Sequence, residues 1–100
     1  MNDGYVKKEY YLEGQFKTEY YEDGHLKKEE WHKNGVLHRE NGPAVVNYWL
    51  GKKKYLEEWY KGGQLHREDG PALVEYNEEG QKITEEYYLN GEKVEKEDLP

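Results

Sequence analysis

The stretch LHRENGPAVV at Leu37–Val46 returns as LHREDGPALV at Leu65–Val74, 28 residues later. Eight of the ten positions are identical, and the two changes, Asn to Asp and Val to Leu, keep the chemistry. A second motif has the same period, because EEW at Glu29–Trp31 returns at Glu57–Trp59 and again as EEY at Glu85–Tyr87. Self-similarity at a fixed period is typical of a repeat architecture. The duplication therefore indicates a repeated building block rather than a duplicated catalytic centre.

Turn-forming dipeptides divide the chain between these motifs, as at Asp23-Gly24, Asn34-Gly35 and Asn90-Gly91. Asp-Gly and Asn-Gly are strong hairpin signals, because a type I′ turn needs positive φ at both central residues. The intervening segments are rich in Tyr, Trp, Val and Thr, carry alternating charges and lack a helical apolar stripe. They predict an all-β fold: a single antiparallel meander sheet of about seven to nine short strands in repeated β-hairpins, twisted or half-curled.

Two-residue loops at Glu13-Gly14 and Asp23-Gly24 would fix the register of the first three strands. Apolar and aromatic residues would then face each other, and a central rung would alternate in charge, which stabilises antiparallel pairs. The predicted opposite pairs are Val6 with Tyr21, Lys8 with Glu19, Tyr11 with Phe16, Tyr21 with Leu26, Glu19 with Lys28, and Phe16 with Trp31.

The same counting predicts a structural role for the His-Arg dipeptides. Through the turns at Asn34-Gly35 and Gly62-Gly63, each Arg falls opposite a Glu and each His opposite a Trp. Arg–Glu pairs can be bidentate, and imidazole can pack against indole. The predicted structural pairs are Trp31 with His38, Glu30 with Arg39, Trp59 with His66, and Glu58 with Arg67. Asn41-Gly42 and Asp69-Gly70 are expected to be the tips of tight turns, either two-residue loops or longer ones.

The motifs LHREDGPA and LHRENGPA, with the lead-in EWYKGGQLHREDGPA, resemble a repeat unit of some bacteriophage and giant-virus proteins. That unit is similar to the MORN-variant repeats (membrane occupation and recognition nexus) of certain bacterial antitoxins. The resemblance covers about residues 4–97, although the Tyr-Glu-Gly core of ordinary MORN units is lacking. It implies hairpins stacked into one elongated sheet and a binding role, without catalytic residues.

The repeats define one predicted domain over residues 1–100. Short G-x-[VFL]-K-x-E units occupy 4–34, and LHR-x-[ND]-G-P-A units occupy 35–62 and 63–90. Residues 91–100 lack the His-Arg pair and are predicted to cap the sheet.

Composition excludes several classes of function. The net charge of −7 disfavours nucleic-acid binding, which needs a basic face. The chain has no Cys and no Ser, which removes the usual nucleophiles and thiolate ligands. No apolar run approaches the roughly 20 residues of a membrane span, and no hydrophobic signal region begins the sequence. We therefore expect a cytoplasmic protein, in a bacterial cell or in the cytosol of an infected host, without membrane association.

Candidate chemical sites are weak. The four histidines, at positions 25, 32, 38 and 66, lack metal-ligand spacing. The acid pairs Glu57-Glu58 and Glu85-Glu86 would point to opposite faces of a strand, whereas a glycosidase needs both carboxylates in one cleft. A paired anion site at His38-Arg39 and His66-Arg67 is the minor alternative to the structural role. We expect no catalytic residue, no metal and no cofactor.

Exposed aromatic residues are the candidate contacts with a partner. In PAVVNYWLG at Pro43–Gly51, the longest uncharged run, Tyr48 and Trp49 point to opposite faces, so that one ring can be exposed. The predicted partner-binding residues are Tyr10, Tyr20, Trp49 and Tyr76.

The expected function is non-catalytic binding of a protein. The resemblance favours a small phage or bacterial inhibitor that blocks a host defence factor or a toxin. The alternative is a structural or lipid-binding MORN-type module without a dedicated protein target. Open sheet edges would also allow a homodimer to form by strand pairing.

Overall fold

The protein is an antiparallel meander of strands, which confirms the predicted fold class. The computed structural model describes residues 4–49 and 53–100. The strands are β1 (Tyr5–Leu12), β2 (Gln15–Glu22), β3 (His25–Lys33), β4 (Val36–Leu37), β5 (Val45–Tyr48), β6 (Lys54–Glu58), β7 (Tyr60–Lys61), β8 (Gln64–Leu65), β9 (Leu73–Tyr76), β10 (Lys82–Leu89) and β11 (Glu92–Val94), followed by a short 3₁₀ helix at Lys96–Asp98. In the main sheet the strand order is β1-β2-β3-β5-β6-β9-β10-β11, with β4 paired to β3, and this sheet does not close into a barrel. Strands β7 and β8 pair with each other as a separate two-stranded sheet.

Type I′ chemistry sets the tight turns, as predicted from the sequence. Both central residues of the turn between β1 and β2 have positive φ, 47° at Glu13 and 82° at Gly14. The turns at Asp23-Gly24, Asn34-Gly35 and Asn90-Gly91 have similar values. A positive φ at both positions matches the twist of the flanking strands, which is why these dipeptides occur there.

The predicted register of the first hairpin is confirmed. Val6 lies opposite Tyr21, Lys8 opposite Glu19, and Tyr11 opposite Phe16. The rings of Tyr11 and Phe16 stack with their centroids 4.6 Å apart. This aromatic pair fixes the end of the hairpin nearest the turn.

The predicted register of the second hairpin is wrong beyond its first two residue pairs. Tyr21 lies opposite Leu26 as predicted, but an irregularity then shifts the pairing by one residue. Glu19 therefore faces Glu29 instead of Lys28. The like charges are tolerated because Lys17 Nζ lies 2.9 Å from Glu19 and 3.0 Å from Glu29. Because of the same shift in pairing, Phe16 faces His32 and not Trp31.

The first repeat loop is not a turn, which corrects the prediction at Asn41-Gly42. Both β4 and β5 pair antiparallel with β3, so the chain keeps its direction through the loop. On β3, the carbonyl of Trp31 accepts from His38 N at 3.0 Å, and Trp31 N donates to the carbonyl of Ala44 at 2.7 Å. Residues 39–43 are therefore inserted between two residues that bond to the same strand residue. The loop is a long bulge in one strand.

The second repeat loop is built in the same way. Trp59 accepts from His66 N at 3.0 Å and donates to the carbonyl of Ala72 at 2.7 Å. Residues 67–71 form the bulge, and Asp69-Gly70 lies within it instead of reversing the chain. The long strand that faces this bulge is β6 followed by β7, with Trp59 between them.

The sheet is thin and has a small core. The principal dimensions are 51 × 35 × 17 Å, and the buried apolar residues among those described are Ala44, Val45, Val46, Ala72 and Val74. Ala44 and Ala72 are completely buried where each bulge rejoins the sheet. So little apolar burial leaves cross-strand pairs and side-chain contacts to stabilise much of the fold.

Candidate functional site

Each bulge is closed by an arginine that lies on a tryptophan. The guanidinium carbon of Arg39 lies 4.2 Å from the centre of a Trp31 ring, and that of Arg67 lies 3.8 Å from Trp59. Each guanidinium also donates to a proline carbonyl in its own loop at 3.2 Å, to Pro43 and Pro71 respectively. The cation therefore ties the loop to the aromatic ring, a contact of about 0.5–2 kcal/mol.

This arrangement corrects the predicted Arg–Glu pairs. Glu30 accepts from the hydroxyl of Tyr20 at 3.2 Å and pairs with Lys28 at 3.0 Å, while Arg39 lies over Trp31. Neighbouring strand residues point to opposite faces, so an arginine that covers Trp31 is directed away from Glu30. The same alternation separates Arg67, which covers Trp59, from Glu58.

In each predicted Trp–His pair the two residues are joined by a main-chain hydrogen bond. The imidazole of each histidine, however, bonds to the next hairpin. His38 Nδ1 accepts from Gly62 N, and His66 Nδ1 accepts from Asn90 N, both at 2.9 Å. Because Nδ1 accepts, the neutral tautomer carries its proton on Nε2. Each histidine therefore joins its own bulge to the following turn. That contact recurs at the 28-residue period of the sequence.

Glycine is required next to each arginine because the guanidinium fills the space of a side chain. A Cβ at Gly42 would lie 2.9 Å from Arg39 Cζ, and a Cβ at Gly70 would lie 2.8 Å from Arg67 Cζ. Real Cβ atoms do not approach so closely, so any side chain there must displace the arginine. The glycine of the Gly-Pro-Ala part of the motif is thereby explained by the arginine three residues before it.

We expect Gly70→Ala to lower the free energy of unfolding by about 1–2 kcal/mol, because it pushes Arg67 off Trp59. The φ of Gly70 is not positive, so the backbone itself accepts alanine. In an Arg67→Ala background the same change should be neutral or stabilising by about 0.4–1 kcal/mol. Urea unfolding of the four proteins measures this cycle. An equal loss in both backgrounds would show that the arginine is not the cause.

A groove separates the two bulges and is the candidate functional site, called the loop groove below. Its floor contains Trp59 with Arg67, and its rims carry charged side chains from both loops. The residues that line it are Glu40, Asn41, Trp59, Lys61, His66, Arg67, Glu68 and Asp69. The loop groove thus combines an aromatic floor with exposed ionic groups and belongs to neither repeat unit alone.

Two of the carboxylates at the rim, those of Glu40 and Asp69, are stabilised in their ionised form. The hydrogen bond from His38, and then its charge and that of Lys61, lower the pKa of Glu40 below its usual 4.5. A hydrogen bond from Arg67 lowers the pKa of Asp69 in the same way. The side chains of Asp69 and Glu68 are 84% and 68% exposed. Because their pKa values are lowered, Glu40 and Asp69 present negative charge to a ligand at neutral pH.

The anion site considered for the His-Arg dipeptides gains no support from this geometry. Both guanidinium groups lie on indole rings and donate to carbonyls of their own loops, and Arg67 also pairs with Asp69 at 2.9 Å. An anion would have to compete with all these contacts.

The four aromatic residues predicted to bind a partner do not form one surface. Tyr10 and Tyr20 lie on opposite faces of the sheet. Tyr10 lies opposite Lys17 in the first hairpin and shares its face, whereas Tyr20 is three residues after Lys17 on the same strand and therefore lies on the other face. Trp49 is 37% exposed and its ring packs 4.6 Å from that of Tyr55, near the other end of the strands. The role of these residues in binding stays a prediction. As a set, they do not define a site.

Tyrosine hydroxyls donate to glutamate carboxylates both along and across the strands, a feature that was not predicted from the sequence. The EE-aromatic motif and its 28-residue period were the available signal, since Tyr48 and Tyr76 bind equivalent glutamates in successive units. The observed pairs are Tyr10 and Tyr21 with Glu19, Tyr20 with Glu30, Tyr48 with Glu29, Tyr60 with Glu58, Tyr76 with Glu57, and Tyr88 with Glu86.

Comparison with protein-family models, with curated proteins and with solved structures gives no match to this chain. Within the described ranges, 4–49 and 53–100, no cluster of His, Asp and Glu has the arrangement needed to hold a metal ion. The same residues contain no helix of the length and apolarity that crossing a membrane requires.

Proposed function

We propose that the protein is a non-catalytic protein-binding module and that it contacts a basic surface of its partner through the loop groove. The observation that carries this proposal is the construction of the same exposed loop twice, at a fixed spacing, by equivalent contacts. Binding residues are commonly placed on loops that a rigid scaffold positions.

The loops are organised before a partner arrives. Each is tied down by an arginine on a tryptophan and by a histidine that accepts from the next turn. Ordering a flexible loop on binding costs free energy, so loops that are already held retain more of the contact energy as affinity.

Charge supports a basic partner. The net charge of −7 would accelerate encounter with a positive surface. Locally, Glu68 and Asp69 extend from one rim of the loop groove and Glu40 from the other. Lys61 also lines the loop groove, with its Nζ 3.8 Å from the Glu40 carboxylate, and would discriminate against partners that place a cation there.

The proposed biological role is that of a small phage or bacterial inhibitor in the cytoplasm, which occupies a host defence factor or a toxin. This part of the proposal rests on the resemblance of LHR-x-[ND]-G-P-A to MORN-variant repeats. The meander of stacked hairpins supports that resemblance, because it is the architecture that the repeats imply.

The test is an affinity pull-down from bacterial lysate with identification by mass spectrometry. A protein recovered by the wild type should be lost with the double variant Glu68→Lys and Asp69→Lys, by at least about tenfold in recovery, because two rim charges become repulsive. The matched control is Glu78→Lys with Glu79→Lys, which makes the same change in net charge at an exposed turn outside the loop groove. The control should recover the protein as the wild type does.

Two outcomes would contradict the proposal. Recovery of no specific protein at low salt would remove the evidence for a binding module. Equal recovery by the rim variant and the control would place the contact elsewhere. Sedimentation with vesicles of phosphatidylcholine and phosphatidylserine at low salt would instead favour the lipid-binding alternative.

A further inference from the structure

We propose that two copies of the protein associate through antiparallel pairing of their β1 edges, in the register that places Lys8 opposite Lys8 on a two-fold axis normal to the sheet. This interface is separate from the loop groove. It would join the two copies into one continuous sheet.

The main chain of β1 is oriented for such pairing. The strand is the outermost of the sheet and pairs with β2 over eight residues without irregularity. The carbonyl of Gly4 accepts from Asp23 N at 2.7 Å and therefore points towards the β2 side. Antiparallel pairing alternates the direction of the main-chain groups, so those of Lys7, Glu9 and Tyr11 point to the open edge.

The side chains of β1 form the largest concentration of exposed apolar groups in the described residues. Tyr11 is 82% exposed, Tyr5 63%, Tyr10 46% and Val6 45%. The opposite end of the sheet contrasts with this, because β11 has only three residues, EKV, and leads into a charged 3₁₀ turn. Main-chain groups at the open edge of a sheet can pair with a further strand.

Charge complementarity selects the register. With Lys8 on the axis, Lys7 lies opposite Glu9 of the second copy, Val6 opposite Tyr10, and Tyr5 opposite Tyr11. Lys7 and Glu9 already share one face, with Lys7 Nζ 3.3 Å from the Glu9 carboxylate. The dimer would close these two pairs into a square of four alternating charges.

The neighbouring registers are less favourable. An axis at Lys7 sets Lys7 against Lys7 and Val6 against Lys8, and an axis at Glu9 sets Glu9 against Glu9 and Tyr10 against Lys8. Like charges directly opposite are destabilising. The Lys8–Lys8 contact of the proposed register is relieved because Lys8 Nζ turns back over the ring of Tyr21, 4.7 Å from its centre.

Sedimentation equilibrium from micromolar to millimolar protein tests the association. The wild type should rise from the 12.0 kDa monomer towards twice that mass. Lys7→Glu alone and Glu9→Lys alone should remain monomeric where the wild type is dimeric, and the double variant Lys7→Glu with Glu9→Lys should dimerise again. Lys96→Glu, outside the strand, is the control for net charge and should behave as the wild type does.

Disulfide trapping tests the register independently. The chain has no cysteine, and a non-hydrogen-bonded antiparallel pair places its Cα atoms about 4.5 Å apart, which a disulfide can bridge. Lys8→Cys should therefore cross-link with oxidised glutathione, which accepts the two electrons and two protons of the thiols. Lys7→Cys should not, because its copies are offset along the strand.

Three results would overturn this inference. The first is a wild type that stays monomeric over the whole range. The second is a dimer that Lys7→Glu leaves intact, and the third is cross-linking of Lys7→Cys as fast as that of Lys8→Cys. A folded variant is confirmed by its circular dichroism. If β1 binds an unrelated protein and not a second copy, the purified chain will fail to dimerise, and this result would also count against the proposal.

Discussion

Trp59→Ala is expected to lower the free energy of unfolding by about 3 kcal/mol, at the lower end of the range for tryptophan because the indole is half-buried. The ring supports Arg67, and the main chain around it is bonded on both sides. Trp59 itself bonds to the second bulge, and the flanking carbonyls of Glu58 and Tyr60 accept from Ala44 and Arg39 of the first. Loss of the ring therefore weakens the junction of the two repeat units.

Thermal unfolding followed by circular dichroism measures this effect, and a loss of that size should lower the Tm by more than about 10 °C. Trp49→Ala is the matched control, because that indole is 37% exposed and supports no arginine. We expect it to cost about 1 kcal/mol. Trp59→Phe keeps a ring face for Arg67 and should fall between the two. Equal losses at Trp59 and Trp49 would contradict a special role for the Arg–Trp contact.

Alkaline pH is expected to unfold the protein through its tyrosines. Burial, and then the hydrogen bond and charge of Glu57, raise the pKa of Tyr76 from 10.0 to about 12. Burial and Glu29 raise the pKa of Tyr48 in the same way. Five further tyrosines are shifted upward beside carboxylates: Tyr10, Tyr20, Tyr21, Tyr60 and Tyr88.

The sign follows from proton linkage. Above pH 10 the unfolded chain loses its phenolic protons while the folded chain keeps them, so rising pH favours unfolding. The stabilising contribution of these groups is complete below about pH 10 and is lost as the pH approaches 12. Urea unfolding at a series of pH values from 8 upward, with phenolate absorbance as a second signal, should show a steep decline.

The double variant Tyr48→Phe with Tyr76→Phe separates tyrosine from lysine titration in this experiment. It removes the two hydroxyls with the largest upward pKa shifts and leaves every lysine in place. Its stability should be lower than that of the wild type near pH 8 but should decline less steeply above pH 10. Parallel declines in the two proteins would exclude these tyrosines as the cause.

The sequence predicts those features of the fold whose structural requirement is local. A type I′ turn demands positive φ within two residues, so Asn34-Gly35 and Asn90-Gly91 could be located from the residues alone. The first hairpin register followed, because a two-residue loop and the Tyr11–Phe16 pair leave one consistent alignment. In the second hairpin an irregularity shifts the register by one residue, and no local sequence pattern predicts that shift.

The candidate site depends on contacts that local patterns do not contain. LHR-x-[ND]-G-P-A reads as a tight turn because its Asn-Gly or Asp-Gly and Pro are turn residues, yet the observed bulge is stabilised by Arg39 on Trp31 and by His38 on Gly62. The histidine's partner is 24 residues away in the chain. Counting residue pairs placed Arg39 opposite Glu30 because it continued the register past His38, where the bulge begins; in the structure Glu30 lies opposite Val45.

The residues alone were enough to specify a meander, its type I′ turns and its 28-residue unit, because backbone preferences and alternation act over a few neighbours. Only the assembled sheet determines the contacts of the two arginines, the bulges that they close and the groove between those bulges. The reason is geometric: a guanidinium contacts a carboxylate or an indole only when the neighbouring strands place that group on the same face of the sheet as the arginine.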